Sequence, residues 1–303
     1  MRSANPPPSA PLRRGAPDPR PSAPTGPGER SEGRPFGLRS SRERPKSVPD
    51  LRSYRPKVAV PPSALLTDVW YTLLYYPVAV RKRIQAARRR TWLQALTEAG
   101  LSPSRSREVV ARLNREIRTS EHRGRTPALA TRIRRLAKEE GISLTPHRLV
   151  AALDRLVAED PPRVASGART ALRILRSHGV RIGIVSNVTL ESGAGARQLL
   201  ERLGLPPLVD AIVLSTDDGT AKPDPRLFLR CLRRLRVDPS RAWYLGDLPT
   251  DVEGAIAAGV RPVRFVGLVR FAPVVRAPWP IRTPVVRQWR ELPAWLLRQR
   301  SSD

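Results

Sequence analysis

The chain has 303 residues, 40% of them hydrophobic, enough for a globular core with a smaller accessory unit. No apolar run reaches the length of a membrane span, and a single cysteine, Cys231, excludes an internal disulfide and fits a reducing, cytoplasmic compartment. With 55 Lys and Arg against 27 Asp and Glu the formal charge is +28, but the excess is spread along the chain, only 5% of residues are aromatic and no nucleic-acid motif is present, which argues against a specific nucleic-acid reader.

Residues 1–57 are dense in Pro, Arg, Ser and Gly and show no sustained periodicity. Such a segment buries too little apolar surface to offset its ordering entropy and reads as a disordered tail. Its positive charge permits nonspecific polyanion binding, and it lacks the apolar h-region of a secretory signal. A first strand opens over 58–66. From 78 to 159 the pattern turns helical, with helices expected over 80–99, 104–120, 127–140 and 146–158 and with Gly100 and Gly141 as stops. Helices and strands then alternate: helix 167–178, strand 181–185, helix 194–203, strand 211–214, helix 226–235, strand 242–245, helix 251–258 and strand 262–266. A last helix over 286–297 should pack its Trp and Leu side chains on the core, and Cys231 reads as a small buried residue on a helix. Alternation with short connections predicts an α/β fold. Its core is a parallel Rossmann-like sheet over 58–77 and 160–303, interrupted by an inserted all-α unit over 78–159.

Four apolar runs end in polar residues: Asp68-Val-Trp70-Tyr-Thr72 after the first strand, Ser186-Asn187, Lys222-Pro-Asp-Pro, and Gly-Asp247-Leu-Pro-Thr-Asp251. In open parallel sheets ligands bind beyond the carboxyl ends of the strands, so these residues should meet at one rim. Singly, each has a bland alternative: the aspartates and Thr72 as caps of helices or turns, Ser186-Asn187 as a strand end, Lys222 as a solvated loop residue. Lys222 stands out because the chain otherwise uses Arg almost throughout.

In order and context the four segments resemble the haloacid dehalogenase superfamily of hydrolases over about residues 58–300, with the helical insertion at the position of that family's cap. The resemblance implies Mg²⁺-dependent hydrolysis of a small phosphorylated metabolite. Asp68 would be the nucleophile that forms an aspartyl-phosphate, with Thr72 orienting its loop. Ser186 and Asn187 would hold the phosphoryl group, and Lys222 would offset its charge. Asp68, the backbone carbonyl of Trp70, Asp247 and Asp251 would form the metal site. Trp70 departs from the family pattern, since phosphatases of this family carry an Asp there as general acid and base. An indole only donates weakly, and loss of general acid–base help costs about 10²–10⁴-fold. Three readings follow: a slow or specialised phosphatase, which is favoured; a non-catalytic relative that keeps the site for binding or regulation; and a haloacid dehalogenase, against which the Asp247–Asp251 pair argues. In the insertion, Arg88, Arg89 and Arg90 read as a solvated face, and His122, Arg123 and Arg125 as a loop.

Overall fold

The computed structural model describes residues 62–272 and 281–299. The tail expected over 1–57, the polyanion binding assigned to it and the start of the 58–66 strand lie outside the described residues. Among the described residues six strands form one sheet in the order β5-β4-β1-β6-β7-β8, all neighbours parallel. They are β1 (Ala64–Thr67), β4 (Arg181–Ser186), β5 (Ala211–Leu214), β6 (Ala242–Gly246), β7 (Arg261–Phe265) and β8 (Val285–Val286). Between the strands run α5 (Ala168–Ser177), α6 (Gly193–Arg202), α7 (Pro225–Leu235) and α8 (Pro249–Ala257), and α9 (Leu292–Arg298) follows β8.

The period of a strand divides its side chains between two cores. Leu65, Ile182, Ile184, Trp243 and Leu245 point to the face covered by α5, α6 and α9, whereas Leu66, Val185, Val213 and Tyr244 point to the face covered by α7. Each helix presents a matching stripe, as in α7, where Leu227, Phe228, Cys231, Leu232 and Leu235 are all buried. Gly183 lets α7 come close: a Cβ there would lie 2.5 Å from Cys231 Sγ and 2.7 Å from Leu66 Cδ2. The C-terminal helix expected over 286–297 is a 3-10 turn at Trp289–Glu291 followed by α9, with Trp289, Leu292 and Leu296 buried in the first core.

Four helices are inserted after β1: α1 (Val78–Glu98), α2 (Pro103–His122), α3 (Leu129–Glu140) and α4 (Pro146–Glu159). They pack on a core of their own, built from Trp92, Leu96, Leu113, Ile133, Leu149 and Leu153. Gly141 ends α3 in the left-handed conformation expected of such a stop. Three features differ from the sequence reading. The insertion is entered and left through a two-residue antiparallel ribbon, β2 (Leu74–Tyr75) with β3 (Arg163–Val164), too short to show periodicity. Helix α2 runs on to His122, so that residue ends a helix and only Arg123 and Arg125 lie in the following turn. Arg88 is not solvated; its side chain is 13% exposed and pairs with the core residue Glu191. Among the described residues no helix is long and apolar enough to cross a membrane.

Candidate active site

The sheet order reverses direction at β1, which has β4 on one side and β6 on the other. Register places Thr67 opposite Ile184 and Leu245, so Asp68 emerges level with the ends of both neighbours. Its amide donates to Leu245 O at 2.9 Å, extending the ladder by one residue before the chain turns. The turn is tight. Leu73 and Leu74 N–H both donate to Val69 O (2.9 and 2.7 Å), and Tyr71 N–H donates to Leu74 O at 2.6 Å. Tyr71 takes a left-handed φ of 57°, an uncommon and costly conformation for a bulky residue. Trp289 Nε1 donates to Thr72 O at 2.8 Å and pins the far side of the turn to the core.

Lys222 is the hub. It lies on the loop between β5 and α7, and its ammonium meets Asp68 Oδ1 at 2.6 Å, Asp251 Oδ1 at 2.7 Å and the Tyr244 hydroxyl at 3.0 Å. All these side chains are buried. Burial pulls the Lys222 ammonium towards neutrality, but the charges of Asp251 and Asp68 more than offset it and hold its pKa above the usual lysine range. Burial pushes the Asp68 carboxyl up; Lys222 pulls it back and Asp251 adds to the rise. The backbone of Lys222 is clamped by Asn187, whose Oδ1 accepts its N–H at 2.9 Å and whose Nδ2 donates to its carbonyl at 3.3 Å.

Asp247 and Asp251 follow β6. Thr72 Oγ1 donates to Asp247 Oδ1 at 3.3 Å, linking the Asp68 turn to the Asp247 loop. Asp251 sits in the first turn of α8, where its Oδ2 accepts the Leu248 N–H at 2.8 Å while its Oδ1 faces Lys222 and the Tyr244 hydroxyl. It is thus a helix cap and an ion-pair partner at once. Gly246 makes room for it: a Cβ there would lie 2.5 Å from Asp251 Cγ. Burial, then repulsion from Asp251 and Asp68, pushes the Asp247 carboxyl well above its ordinary value. One carboxylate oxygen from each of Asp68, Asp247 and Asp251 lies within 4.8 Å of the others. These are hard oxygen donors, and trans oxygens on a Mg²⁺ ion are about 4 Å apart, so the donor set fits such an ion with small movements.

Ser186 is buried at the end of β4, its hydroxyl 3.4 Å from Asn187 O. The Trp70 indole is half-buried, stacks on Tyr76 with ring centroids 5.6 Å apart, and reaches the Glu191 carboxyl. Two residues of this neighbourhood escaped the sequence reading. Tyr244 looks like one more apolar position of a buried strand, yet its hydroxyl contacts Lys222, Val185 O and Asp251. Glu191 looks like a solvated loop acid, yet it is 4% exposed beneath α1, and burial pushes its carboxyl up against the opposing pull of Arg88. Asp154 of α4 joins the same seam, accepting from Ser192 N at 2.8 Å and Ser192 Oγ at 2.6 Å.

Residues 63–259 match the sequence family described as haloacid dehalogenase-like hydrolase. A glyceraldehyde 3-phosphate phosphatase from Methanopyrus kandleri is 32% identical over 205 residues, covering 66% of this chain and 82% of that protein. Phosphatase MT3486 from Mycobacterium tuberculosis is 37% identical over 113 residues, 36% of this chain and 51% of its own length. Among solved structures, a HAD phosphatase from Thermococcus onnurineus aligns with a TM-score of 0.54 at 22% identity over 77% of this chain and 97% of that one. A 2-haloacid dehalogenase from Pseudomonas syringae pv. Tomato DC3000 gives 0.55 at 23% over 78% and 99%. At these identities the two structures share the fold, and they do not separate the two chemistries.

Proposed function

Because the chain belongs to the haloacid dehalogenase-like hydrolases, we propose that it hydrolyses a small phosphorylated metabolite through a covalent intermediate on Asp68. The observation that carries this reading is the Lys222 ammonium bridging Asp68 and Asp251 at 2.6 and 2.7 Å on the rim of the sheet. It opposes the upward push that burial gives the Asp68 carboxyl and places a positive charge where the phosphoryl group would arrive. An Asp68 oxygen attacks phosphorus, the bond from phosphorus to the ester oxygen breaks, and the departing alkoxide takes its proton from solvent water. Water then attacks the same phosphorus, releasing inorganic phosphate and restoring the carboxylate. Asn187 positions Lys222 from the backbone side, Ser186 closes the phosphate pocket, and Thr72 keeps Asp247 aligned with the Asp68 turn.

Asp68, the carbonyl of Trp70 and Asp247 would hold Mg²⁺, with Asp251 supporting from behind because both its oxygens are already engaged. Bound there, the ion supplies charge neutralisation for the incoming phosphate. Trp70 supplies neither acid nor base, so turnover is slow or directed at esters whose leaving group needs little protonation. That same residue favours a second reading, a relative that binds phosphorylated molecules without turning them over. The carboxylate trio favours either over dehalogenation, which has no use for it. Phosphate release from a panel of phosphorylated metabolites, with Mg²⁺ or with EDTA and beside Asp68→Asn, separates them. Release that requires both metal and Asp68 supports the phosphatase. Release no greater than that of a folded Asp68→Asn protein leaves the binding reading in place.

A further inference from the structure

The turn that joins α2 to α3 carries Arg123 and Arg125, but it is the backbone of this turn that reaches the core. Gly124 O accepts the Ala221 N–H at 2.9 Å, and Thr126 N–H donates to Gly219 O at 2.8 Å. The two bonds frame an antiparallel bridge between Arg125 and Thr220, separate from the sheet and from the β2–β3 ribbon. The approach is close and needs glycine. Gly124 has a left-handed φ of 67°, and a Cβ there would lie 3.2 Å from Asp224 Cβ and 3.3 Å from Ala221 O. Thr126, Thr220 and Ala221 are all buried. Within the inserted unit the turn is itself fixed: Arg123 and Arg125 N–H both donate to Ser120 O (3.1 and 3.0 Å), and Arg132 Nε donates to Pro127 O at 3.0 Å. On the core side Asn187 holds the backbone of Lys222, and Asp224 N–H donates to Ala221 O at 2.9 Å before Asp224 caps α7. The loop that carries Lys222 is therefore bonded to the inserted helices as well as to its own core.

We propose that Gly124 and Thr126 are positioning residues for Lys222: through two backbone bonds they set the place of the ammonium that Asp68 and Asp251 share. The inference rests on the hydrolase reading above for what Lys222 does, and adds the segment that places it. Asn187 fixes Lys222 itself, whereas the α2–α3 turn fixes the residues just before it, Gly219 and Ala221. Without the turn, the Gly219 carbonyl and the Ala221 N–H lose these partners in a buried place, and a buried backbone group left unpaired is costly. The loop then relaxes towards water and takes Lys222 with it. A shift of about 1 Å in a group that must meet a reacting phosphoryl is enough to slow the reaction strongly. No side chain of the turn touches Lys222, so its contribution lies in the shape of its backbone, which is why a glycine stands at its centre.

The test compares the full chain with Gly124→Val, whose branched side chain suits neither the left-handed φ nor the gap to Asp224. Gly141→Val is the control: it strains the same inserted unit at a φ of 65°, but its added Cβ meets nothing within 4 Å. Each protein is treated with an amine-acylating reagent, and Lys222 labelling is read by peptide mapping against the exposed Lys82 and Lys138. Buried Cys231, probed with a thiol reagent, reports loss of the whole fold. Gly124→Val should raise Lys222 labelling about tenfold to a hundredfold, as expected for two backbone hydrogen bonds, with Cys231 still protected. In Gly141→Val, Lys222 should stay as in wild type. The kcat for a phosphomonoester should fall by a similar factor in Gly124→Val alone. If Gly124→Val exposes Cys231, Gly124→Ala, which adds a single methyl group, carries the comparison. Lys222 labelling equal to wild type in the folded Gly124 variant, or raised as much in Gly141→Val, overturns the proposal. Wild type that releases no phosphate overturns the hydrolase reading, while the labelling, read without turnover, still judges the placement of Lys222.

Discussion

Replacing Lys222 by Met keeps much of the side chain's length and deletes the one charge that two buried carboxylates share. The partners are 3% exposed for Lys222, 5% for Asp68 and 1% for Asp251, so water neither screens the pair now nor rescues the carboxylates afterwards. Removing one member of such a pair costs about 3–5 kcal/mol, because the uncompensated charge stays buried. For a folded unit of this size that is a fall in Tm of roughly 6–20 °C. The pH dependence follows from the two raised pKa values. Lys222 is held above the ordinary lysine value, so its contribution is complete below that value and is lost only as pH rises through the folded one. Asp68 is raised by burial, with Lys222 as the strongest opposing influence, so in the variant its carboxyl climbs further and takes up a proton as the solution is acidified. The deficit should therefore be largest near about pH 8 and shrink towards about pH 5. Urea unfolding of wild type and Lys222→Met at the two pH values measures it. The Lys222→Met, Asp68→Asn double variant should recover part of the loss, because it removes one of the stranded charges. A deficit below about 1 kcal/mol, or one equal at both pH values, would refute the reasoning.

Gly246→Ala puts a Cβ 2.5 Å from the Asp251 carboxylate carbon, so Asp251 must leave Lys222 or the strand end must shift; phosphate release should fall at least about tenfold, and a variant as active as wild type would remove the need for that close approach. Cys231 is fully buried and its thiol is pushed up by burial to about 12, so it should stay unlabelled by a thiol reagent in native protein and react on denaturation. Trp70→Asp supplies the missing acid and base, and kcat/KM on alkyl phosphates should rise by about 10²–10⁴ if the rest of the machinery is competent; no gain in a folded variant points to the binding protein instead.

Much of the site was legible because its residues end apolar runs, and a run that stops at a charged residue marks both a strand and its carboxyl end. That argument places Asp68, Ser186 and Asp247 at strand ends, as the structure does; Lys222 instead lies well beyond β5 on the loop to α7, and Asp251 lies inside α8, though both reach the same rim. The helical insertion was equally plain from its periodicity and its glycine stops. What stayed hidden depends on partners far away in the chain. The polar role of Tyr244 exists only because Lys222 and Val185 lie beside it in space, and in a strand of apolar neighbours a tyrosine reads as core. Glu191 and Arg88 each look solvated alone; Glu191 is buried and Arg88 largely covered because α1 docks over the loop after β4, a contact 103 residues apart. Asn187 was placed in the site from sequence, but its clamp on the Lys222 backbone was not visible there. The β2–β3 ribbon has two residues per strand and no period to detect.

If Asp68 is the nucleophile, it becomes covalently phosphorylated during turnover. Rapid acid quenching during turnover of a radiolabelled phosphomonoester, followed by peptide mapping, tests it most directly. Acid-stable label is expected on the peptide that contains Asp68, present in wild type and absent in Asp68→Asn. Steady turnover by wild type with no label on that peptide, or the same label in both proteins, would contradict it.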